Sequence, residues 1–244
     1  MLVEICLPVK NEEKILALNL QRLLDFCEGA RFEFEWKIIG ISNGSSDGTV
    51  GIFTEFEKRY TKNLSHLEIS LPGRGRAIKQ YWLKSQADIV CYLDIDLAVS
   101  PDQLTSLLAP IIRGEADLVI GSRLLPESKT KRSFLRETVS RTYNFLARLV
   151  LANKVSDLQC GFKAIKEDVF KKIEPYLEDD YWFFDTEMVS LARHFSYRIY
   201  ELPVDWNESR YANRVSKVKI VRDIIRFIGN LVRLRYRLFF LTRN

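Results

Sequence analysis

Histidine and cysteine are scarce in this chain, with two and four among 244 residues. Cys6, Cys27, Cys91 and Cys160 show no paired spacing. Cys6 and Cys91 sit inside the apolar runs ICLPV and IVCYLD, so they read as small buried hydrophobes in a reducing compartment. So few thiols and imidazoles argue against a zinc centre. No uninterrupted apolar run approaches the ~20 residues that cross a bilayer. The opening residues MLVEICLPVKNEE carry no basic region before their apolar stretch, so no signal peptide is expected. Eleven glycines and seven prolines exclude collagen-like and low-complexity character.

What is present is the material of a globular core: 47% hydrophobic and 28% charged residues, in a length that suits one large domain or one domain with an appendage. The net charge of +5 is unevenly placed. Residues 217–244 hold eight basic side chains and one acid, +7 in all, which leaves the rest of the chain at −2. The positive excess belongs to a terminal segment and not to the body.

Short β-branched runs alternate with helical patterns along the first 125 residues. Strands are expected at Leu2–Val9, Trp36–Ser42, Leu67–Leu71, Ile89–Leu93 and Asp117–Ile120. Helices are expected at Asn11–Glu28, Val50–Tyr60, Arg76–Ser85 and Pro101–Ile112. Such alternation implies an α/β fold with a mostly parallel central sheet flanked by helices. Beyond Gly121 the pattern predicts a polar basic loop at Arg123–Arg132, then helices at Ser133–Leu151, Glu167–Tyr176 and Phe184–Phe195. Strands are expected at Cys160–Ile165 and Arg198–Asp205.

In open α/β sheets, ligands bind beyond the carboxyl ends of the strands. Three polar clusters fall there: Pro8-Val9-Lys10-Asn11-Glu12, the run from Ser42 through Asn43 and Asp47 to Thr49, and Asp94-Ile95-Asp96. Taken singly, each also fits a turn or helix cap. If the last of these is extended, Asp94 and Asp96 share a side and offer two hard oxygen donors, which suits Mg²⁺ or Mn²⁺ completed by substrate phosphates. The competing reading is a cap for the following helix.

Gly73-Arg74-Gly75-Arg76 combines close backbone approach with two diphosphate-binding arginines, or else is a turn with solvated charge. Arg123, at the end of the fifth strand, faces the carboxylate pair and holds a phosphate, or is a surface arginine. Asp157, Gln159 and Lys163 surround Cys160, whose thiol lacks an activating histidine and reads as packing. Asp185 either caps the helix that it opens or supplies a cleft carboxylate.

In the last segment Ile220, Ile224, Phe227, Leu231, Leu234 and Leu238 recur every three or four residues, opposite a nearly all-positive face. A basic amphipathic helix of this kind lies in a membrane interface beside anionic lipid, or packs on its own domain or a second subunit. Nucleic acid is not an expected partner, because the body is slightly acidic and carries no nucleic-acid-binding motif.

PVKNEE, SNGSSDGT, GRGRA, DID and GSR stand in the order and spacing of the family-2 glycosyltransferases, which the chain resembles from about Leu2 to Lys217. SDLQCGFKA, WFFDTE and ELPVDWNE resemble the branch that glycosylates polyprenyl or dolichyl phosphate, and the dolichyl-phosphate β-glucosyltransferases more than the mannose synthases. The resemblance implies the GT-A nucleotide-diphospho-sugar transferase fold over residues 1–215 and a membrane-surface helix over 216–244.

It also implies roles. Pro8, Val9, Asn11 and Glu12 meet the nucleotide, and Ser42, Asn43 and Asp47 border the base and ribose. Arg74 and Arg76 lie near the diphosphate. Asp94 and Asp96, around Ile95, hold the divalent metal. Arg123 meets phosphate, Asp157, Gln159 and Lys163 line the cleft, and Ser216 and Lys217 match the branch's closing serine–lysine. Two departures stand out. The family's DDGSxDGT loop has Ser42 and Asn43 in place of its paired aspartates, and Ala98 replaces the glutamine of the mannose synthases.

The expected reaction moves glucose or mannose with inversion from a nucleotide diphosphate sugar (UDP-glucose or GDP-mannose) to a polyprenyl or dolichyl phosphate. Lys129, Lys131, Arg132, Arg136 and Arg141 offset the charge of the acceptor. The expected place is the cytoplasmic membrane face, peripherally bound to anionic lipid, with a membrane subunit as a further possible partner. Competing readings are a transferase acting on a polysaccharide or protein hydroxyl, where Asp185 or Glu187 becomes an essential base, and a nucleotidyltransferase. A third is a non-catalytic membrane-recruited protein that binds nucleotide sugars.

Overall fold

The computed structural model describes residues 1–208 and 220–241. Its strands are β1 (Leu2–Val9), β2 (Glu35–Asn43), β3 (Leu64–Ile69), β4 (Ile89–Leu93), β5 (Leu118–Ser122), β6 (Lys129–Lys131), β7 (Phe162–Lys166), β8 (Ile199–Pro203) and β9 (Asp205–Asn207). The helices are α1 (Glu13–Gly29), α2 (Thr49–Arg59), α3 (Arg74–Trp82), α4 (Leu104–Ile112), α5 (Phe134–Leu151), α6 (Glu167–Ile173), α7 (Phe184–His194) and α8 (Ile220–Phe240).

Seven strands form one sheet in the order β3-β2-β1-β4-β7-β5-β8, and β7 runs antiparallel to both of its neighbours. The period-two alternation of a doubly covered sheet explains the two cores. Val3, Ile5 and Leu7 of β1 face Leu16, Leu20, Phe53 and Leu108 from α1, α2 and α4. Cys6, Val90 and Tyr92 face the other way, toward Trp82, Phe170 and Met188 from α3, α6 and α7. Trp82 meets Phe170 edge-on at 4.9 Å and 88°, the geometry that aromatic quadrupoles favour. All four cysteines are free and buried.

Two elements differ from the sequence expectation. The basic loop at 123–132 contains β6, which pairs in parallel with β9 and sets Lys129 against Asp205. The third strand begins at Leu64 rather than Leu67. Its polar Ser65 and His66 pair with Ile39 and Gly40, and His66 is held by Glu57 Oε2 at 2.6 Å.

The apolar seam of α8 is not left for a membrane. Leu231, Leu234 and Leu238 are buried against the domain, and the Phe227 ring lies 5.2 Å from Tyr143 of α5. Its basic side is also partly spent: Arg237 pairs with Glu187 at 2.6 Å, Arg233 with Glu178 at 2.8 Å, and Asn230 donates to Asp179. Acids ahead of and within α7 drew this face inward, a pairing that periodicity within α8 cannot reveal. What remains outside is a different stripe, Ile228, Val232, Tyr236, Phe239 and Phe240, and α5 likewise leaves Phe134, Phe145 and Leu149 exposed. Among the described residues, no helix is long and apolar enough to cross a membrane.

Candidate active site

Parallel strands deliver their carboxyl ends to one rim, and the polar motifs gather there. β1 and β2 end side by side, Val9 against Ser42. Both Ser42 and Asn43 are buried. Asn43 Nδ2 donates to the Val9 carbonyl at 2.7 Å, and its Oδ1 accepts from Gly73 N at 3.2 Å. The amide expected to meet a base is thus a strut between two loops, because a buried amide must satisfy both of its ends.

Asn11 takes a left-handed conformation, with φ of 52°, and clasps the second loop by accepting from Ser46 N at 2.7 Å. Its neighbours Pro8 and Val9 are the last residues of β1, and Glu12 N donates to Thr49 Oγ1 at 2.9 Å. Asp47 accepts from Thr49 N at 3.1 Å and Glu13 N at 3.2 Å, so it caps the starts of α2 and α1. Burial alone raises its carboxyl, but those donors hold it below the ordinary carboxylate range.

Asp94 leaves β4 into a turn and not an extended segment. Leu97 N donates to the Asp94 carbonyl at 3.0 Å, Leu97 has a φ of 48°, and Asp96 Oδ1 accepts from Ala98 N at 3.2 Å. Ile95 between the acids is buried, and its carbonyl accepts from the buried amide of Asn19 at 2.8 Å. The two carboxylates are therefore carried on a turn pinned from below. Both keep partial exposure at the rim.

Arg74 stands over this turn. Its guanidinium is sandwiched between the rings of Tyr92 at 4.9 Å and Trp182 at 5.0 Å, and Nη2 lies 3.2 Å from Asp94 Oδ1. Burial works against its charge, yet Asp94 and Asp185 raise its pKa above the usual value. Nε and Nη2 are buried without a well-formed hydrogen bond. Gly161 permits this proximity, since a Cβ there would collide with Asp94 Oδ2 and Arg74 Nη2. Arg76 is spent differently, on Asp180 Oδ2 at 2.7 Å and on the Pro72 carbonyl at 2.9 Å.

Behind the rim the structure corrects several expectations. Asp185 neither caps α7 nor faces the cleft. It is fully buried, 2.5 Å from Lys163 Nζ and bonded to the Tyr92 hydroxyl, and Lys163 also donates to the Cys160 carbonyl at 2.6 Å. A lysine and an aspartate with no access to water need each other, which the sequence does not disclose at 22 residues' separation.

Arg123 is likewise not a free phosphate ligand. It grips Asp157 through Nε at 2.6 Å and Nη2 at 2.9 Å, under the Trp206 ring at 4.9 Å. Burial raises the Asp157 carboxyl, but Arg123 brings it down to about 2. Gln159 donates to Thr186 Oγ1 at 2.7 Å.

Arg132 pairs with Glu137 at 2.6 Å while its Nη2 remains buried and unbonded. Arg136 pairs with Glu208 at 2.9 Å. Ser216 and Lys217 lie outside the described residues. Tyr92 and Trp182, which frame Arg74, were assigned no role from the sequence, although Trp182 opens the WFFDTE motif. Tyr92 sits in an apolar run, and Trp182 among bulky neighbours.

Among the described residues, no group of three or more acids, histidines or cysteines is placed to hold a metal. Two hard carboxylates at an open rim fit Mg²⁺ or Mn²⁺ all the same, because those ions keep several waters and take substrate phosphates as ligands.

Comparisons with known proteins bear on the family and the fold. The family model described as glycosyl transferase family 2 matches residues 4–174. Over 97% of its length the chain is 31% identical to glycosyltransferase AglD of Haloferax volcanii, of which it spans 37%. Over 92% of its length it is 29% identical to dolichyl-phosphate beta-glucosyltransferase ALG5D of Trichomonas vaginalis, spanning 72% of that protein.

Glucosyl-3-phosphoglycerate synthase from Mycobacterium tuberculosis, crystallised with Mn²⁺, uridine-diphosphate and phosphoglyceric acid, superposes with a TM-score of 0.66 at 16% identity. The match covers 98% of this chain and 79% of that one, a likeness of GT-A-type fold. From the rim geometry and the family match together, the chain belongs to glycosyl transferase family 2.

Proposed function

We propose that the protein transfers a hexose, glucose in preference to mannose, from a nucleotide diphosphate sugar to a polyprenyl or dolichyl phosphate. The observation that carries the reading is the stacked Arg74 guanidinium, ion-paired through Nη2 with the rim carboxylate Asp94 while its Nε and Nη2 lie buried without a hydrogen bond. Relatives named as dolichyl-phosphate beta-glucosyltransferases, in Trichomonas vaginalis and in Saccharomyces cerevisiae at 26% identity, support the acceptor and the sugar.

In this mechanism Asp94 and Asp96 would hold Mg²⁺ or Mn²⁺, which would supply positive charge to a departing diphosphate. The Arg74 guanidinium, desolvated by the Tyr92 and Trp182 rings, offers a fixed positive charge to the same oxygens, where it is worth more than in water. An oxygen of the acceptor phosphate attacks C1 of the hexose from the face opposite the diphosphate. The new C1–O bond forms as the old one breaks, and the electron pair leaves with the nucleoside diphosphate. A phosphate monoester is already mostly dianionic at neutral pH, its second pKa being about 6. No general base is therefore required, which accords with the burial of Asp185. Cationic side chains are required instead, and Arg132, Lys129, Lys131, Arg136 and Arg141 stand on β6, α5 and the turn between them.

Residues 216–244 form the membrane-surface segment in this reading, in peripheral contact with the cytoplasmic face, with a membrane subunit as a further partner. The support is the exposed apolar stripe of α8, together with the large apolar side chains that α5 exposes. The test is direct. The full chain is incubated with UDP-glucose, Mn²⁺ and a short polyprenyl phosphate, and UDP and glucosyl lipid are measured. Equal amounts of both support the proposal. Hydrolysis to free glucose, or transfer only to a hydroxyl acceptor, sinks it.

A further inference from the structure

The carboxyl ends of α5, α7 and α8 converge on a cavity of about 370 Å³, well away from the strand-end rim. Leu151, Asn153, Arg193, His194, Arg235 and Phe239 are among the residues that line it, and no acid does. Its walls are fixed. His194 Nε2 lies 3.1 Å from the Leu241 carbonyl, which can only accept, so the ring donates there and ties down the end of α8. Asn153 Oδ1 accepts from Val155 N at 3.1 Å and shapes the exit from α5.

Basic residues in a last helical turn often serve the helix itself, by offsetting its terminal carbonyls. Here that work is done by backbone donors. Asn153 N donates to Arg148, Ser196 N to Arg193, Tyr197 N to Ala192 and Leu241 N to Arg237. Among the described residues, neither Arg193 nor Arg235 has an ion-pair or hydrogen-bond partner for its guanidinium. Two surplus cations thus share a mainly polar cavity with the apolar side chains of Leu151, Leu238, Phe239 and Leu241. Phe239, one of its lining residues, is 77% exposed and belongs to the outward stripe of α8 with Tyr236 and Phe240. A cation pair joined to an apolar shelf complements one kind of molecule, an anion with a hydrocarbon tail.

We propose that this cavity binds the phosphate headgroup of an anionic lipid. Arg193 and Arg235 hold the phosphate, and the acyl chains lie along the exposed α8 stripe. The site would orient the enzyme on its membrane without touching the reacting atoms. It builds on the membrane reading of α8, and it adds a discrete one-lipid pocket to what would otherwise be diffuse surface charge.

The test titrates the full chain calorimetrically with three probes: monomeric dihexanoyl phosphatidic acid, dihexanoyl phosphatidylcholine and inorganic phosphate. The expected result is one phosphatidic acid per chain, with the other two at least about tenfold weaker. The R193Q/R235Q variant should lose that same tenfold, and so in part should R235Q alone, whose exposed side chain bears little on folding. Equal binding of inorganic phosphate would make this a free-anion site, and equal binding of phosphatidylcholine a plain apolar cleft. Unchanged binding by the folded variants would dismiss the arginines. Each of these outcomes overturns the proposal. A parallel titration with UDP keeps the two readings apart, since failure to bind UDP counts against the transferase reading and leaves the pocket result standing.

Discussion

Lys163 and Asp185 form an ion pair at 2.5 Å with neither side chain exposed to solvent. A charge left alone at such a depth cannot be rehydrated, so breaking the pair from one side is costly. Lys163→Met is expected to lower the unfolding free energy by about 3–5 kcal/mol, read from urea denaturation. The double change Lys163→Met with Asp185→Leu should regain much of that loss. If the single variant is as stable as the parent, the pair is not a matched one.

Asp96 accepts from Ala98 N within its own turn and keeps partial exposure at the rim, outside the apolar core. Asp96→Ala should leave the melting temperature within a few degrees of the parent and abolish sugar transfer. Persistent turnover that is also insensitive to chelator would remove the metal from the proposed mechanism.

Arg74 offers more than charge. Arg74→Lys keeps the cation but loses the planar stack between Tyr92 and Trp182 and the multiple donors. UDP affinity measured by calorimetry should fall at least about tenfold, roughly 1.4 kcal/mol, with Lys and further with Ala. Equal affinity in the Lys variant would mean that a point charge suffices.

Acid should find a weak point at Asp157. Its carboxyl is lowered in the fold from 3.8 to about 2, chiefly by Arg123 working against burial. A depressed folded-state pKa adds stability that is present above the unfolded value and is lost as the pH falls through the folded one. Stability should therefore decline between about pH 4 and pH 2, by an amount on the order of 2 kcal/mol. Asp157→Asn should flatten that part of the curve. An equal slope in the variant would place the acid lability in other carboxylates.

The outward stripe of α8 can be tested without disturbing its buried seam. Val232 and Phe239 are 60% and 77% exposed, so Val232→Glu with Phe239→Glu should leave the fold unchanged. Co-sedimentation with vesicles of phosphatidylcholine and phosphatidylglycerol should fall markedly. Undiminished co-sedimentation would assign membrane contact, if any, to other surfaces.

The layered α/β architecture was legible because alternation of strand and helix is written in local periodicity, and each of the seven main-sheet strands overlaps an expected one. Asp94, Asp96 and Arg74 were legible for a related reason, since strand ends are where such folds keep their polar residues. Hidden were the partners of buried charges. Arg123 with Asp157 and Lys163 with Asp185 join residues that neither share a periodic face nor lie close in sequence. Their side chains look like cleft chemistry until depth shows them to be internal. For α8 the periodicity was right and its direction was not. The leucine seam is real, but Glu178, Asp179 and Glu187 decide that it turns inward, leaving Val232 and Phe239 outside.

The antiparallel course of β7 has a consequence of its own. Every neighbour in the sheet reaches the rim on its way out, whereas β7 begins there, with Phe162 opposite Leu93. The segment 157–161 is therefore delivered to the place where the other strands finish. A shift of β7 by one residue would carry Gly161 away from Asp94 and put Cys160 or Phe162 in its place. The register of one reversed strand thus sets how closely an arginine and an aspartate from two other elements can approach.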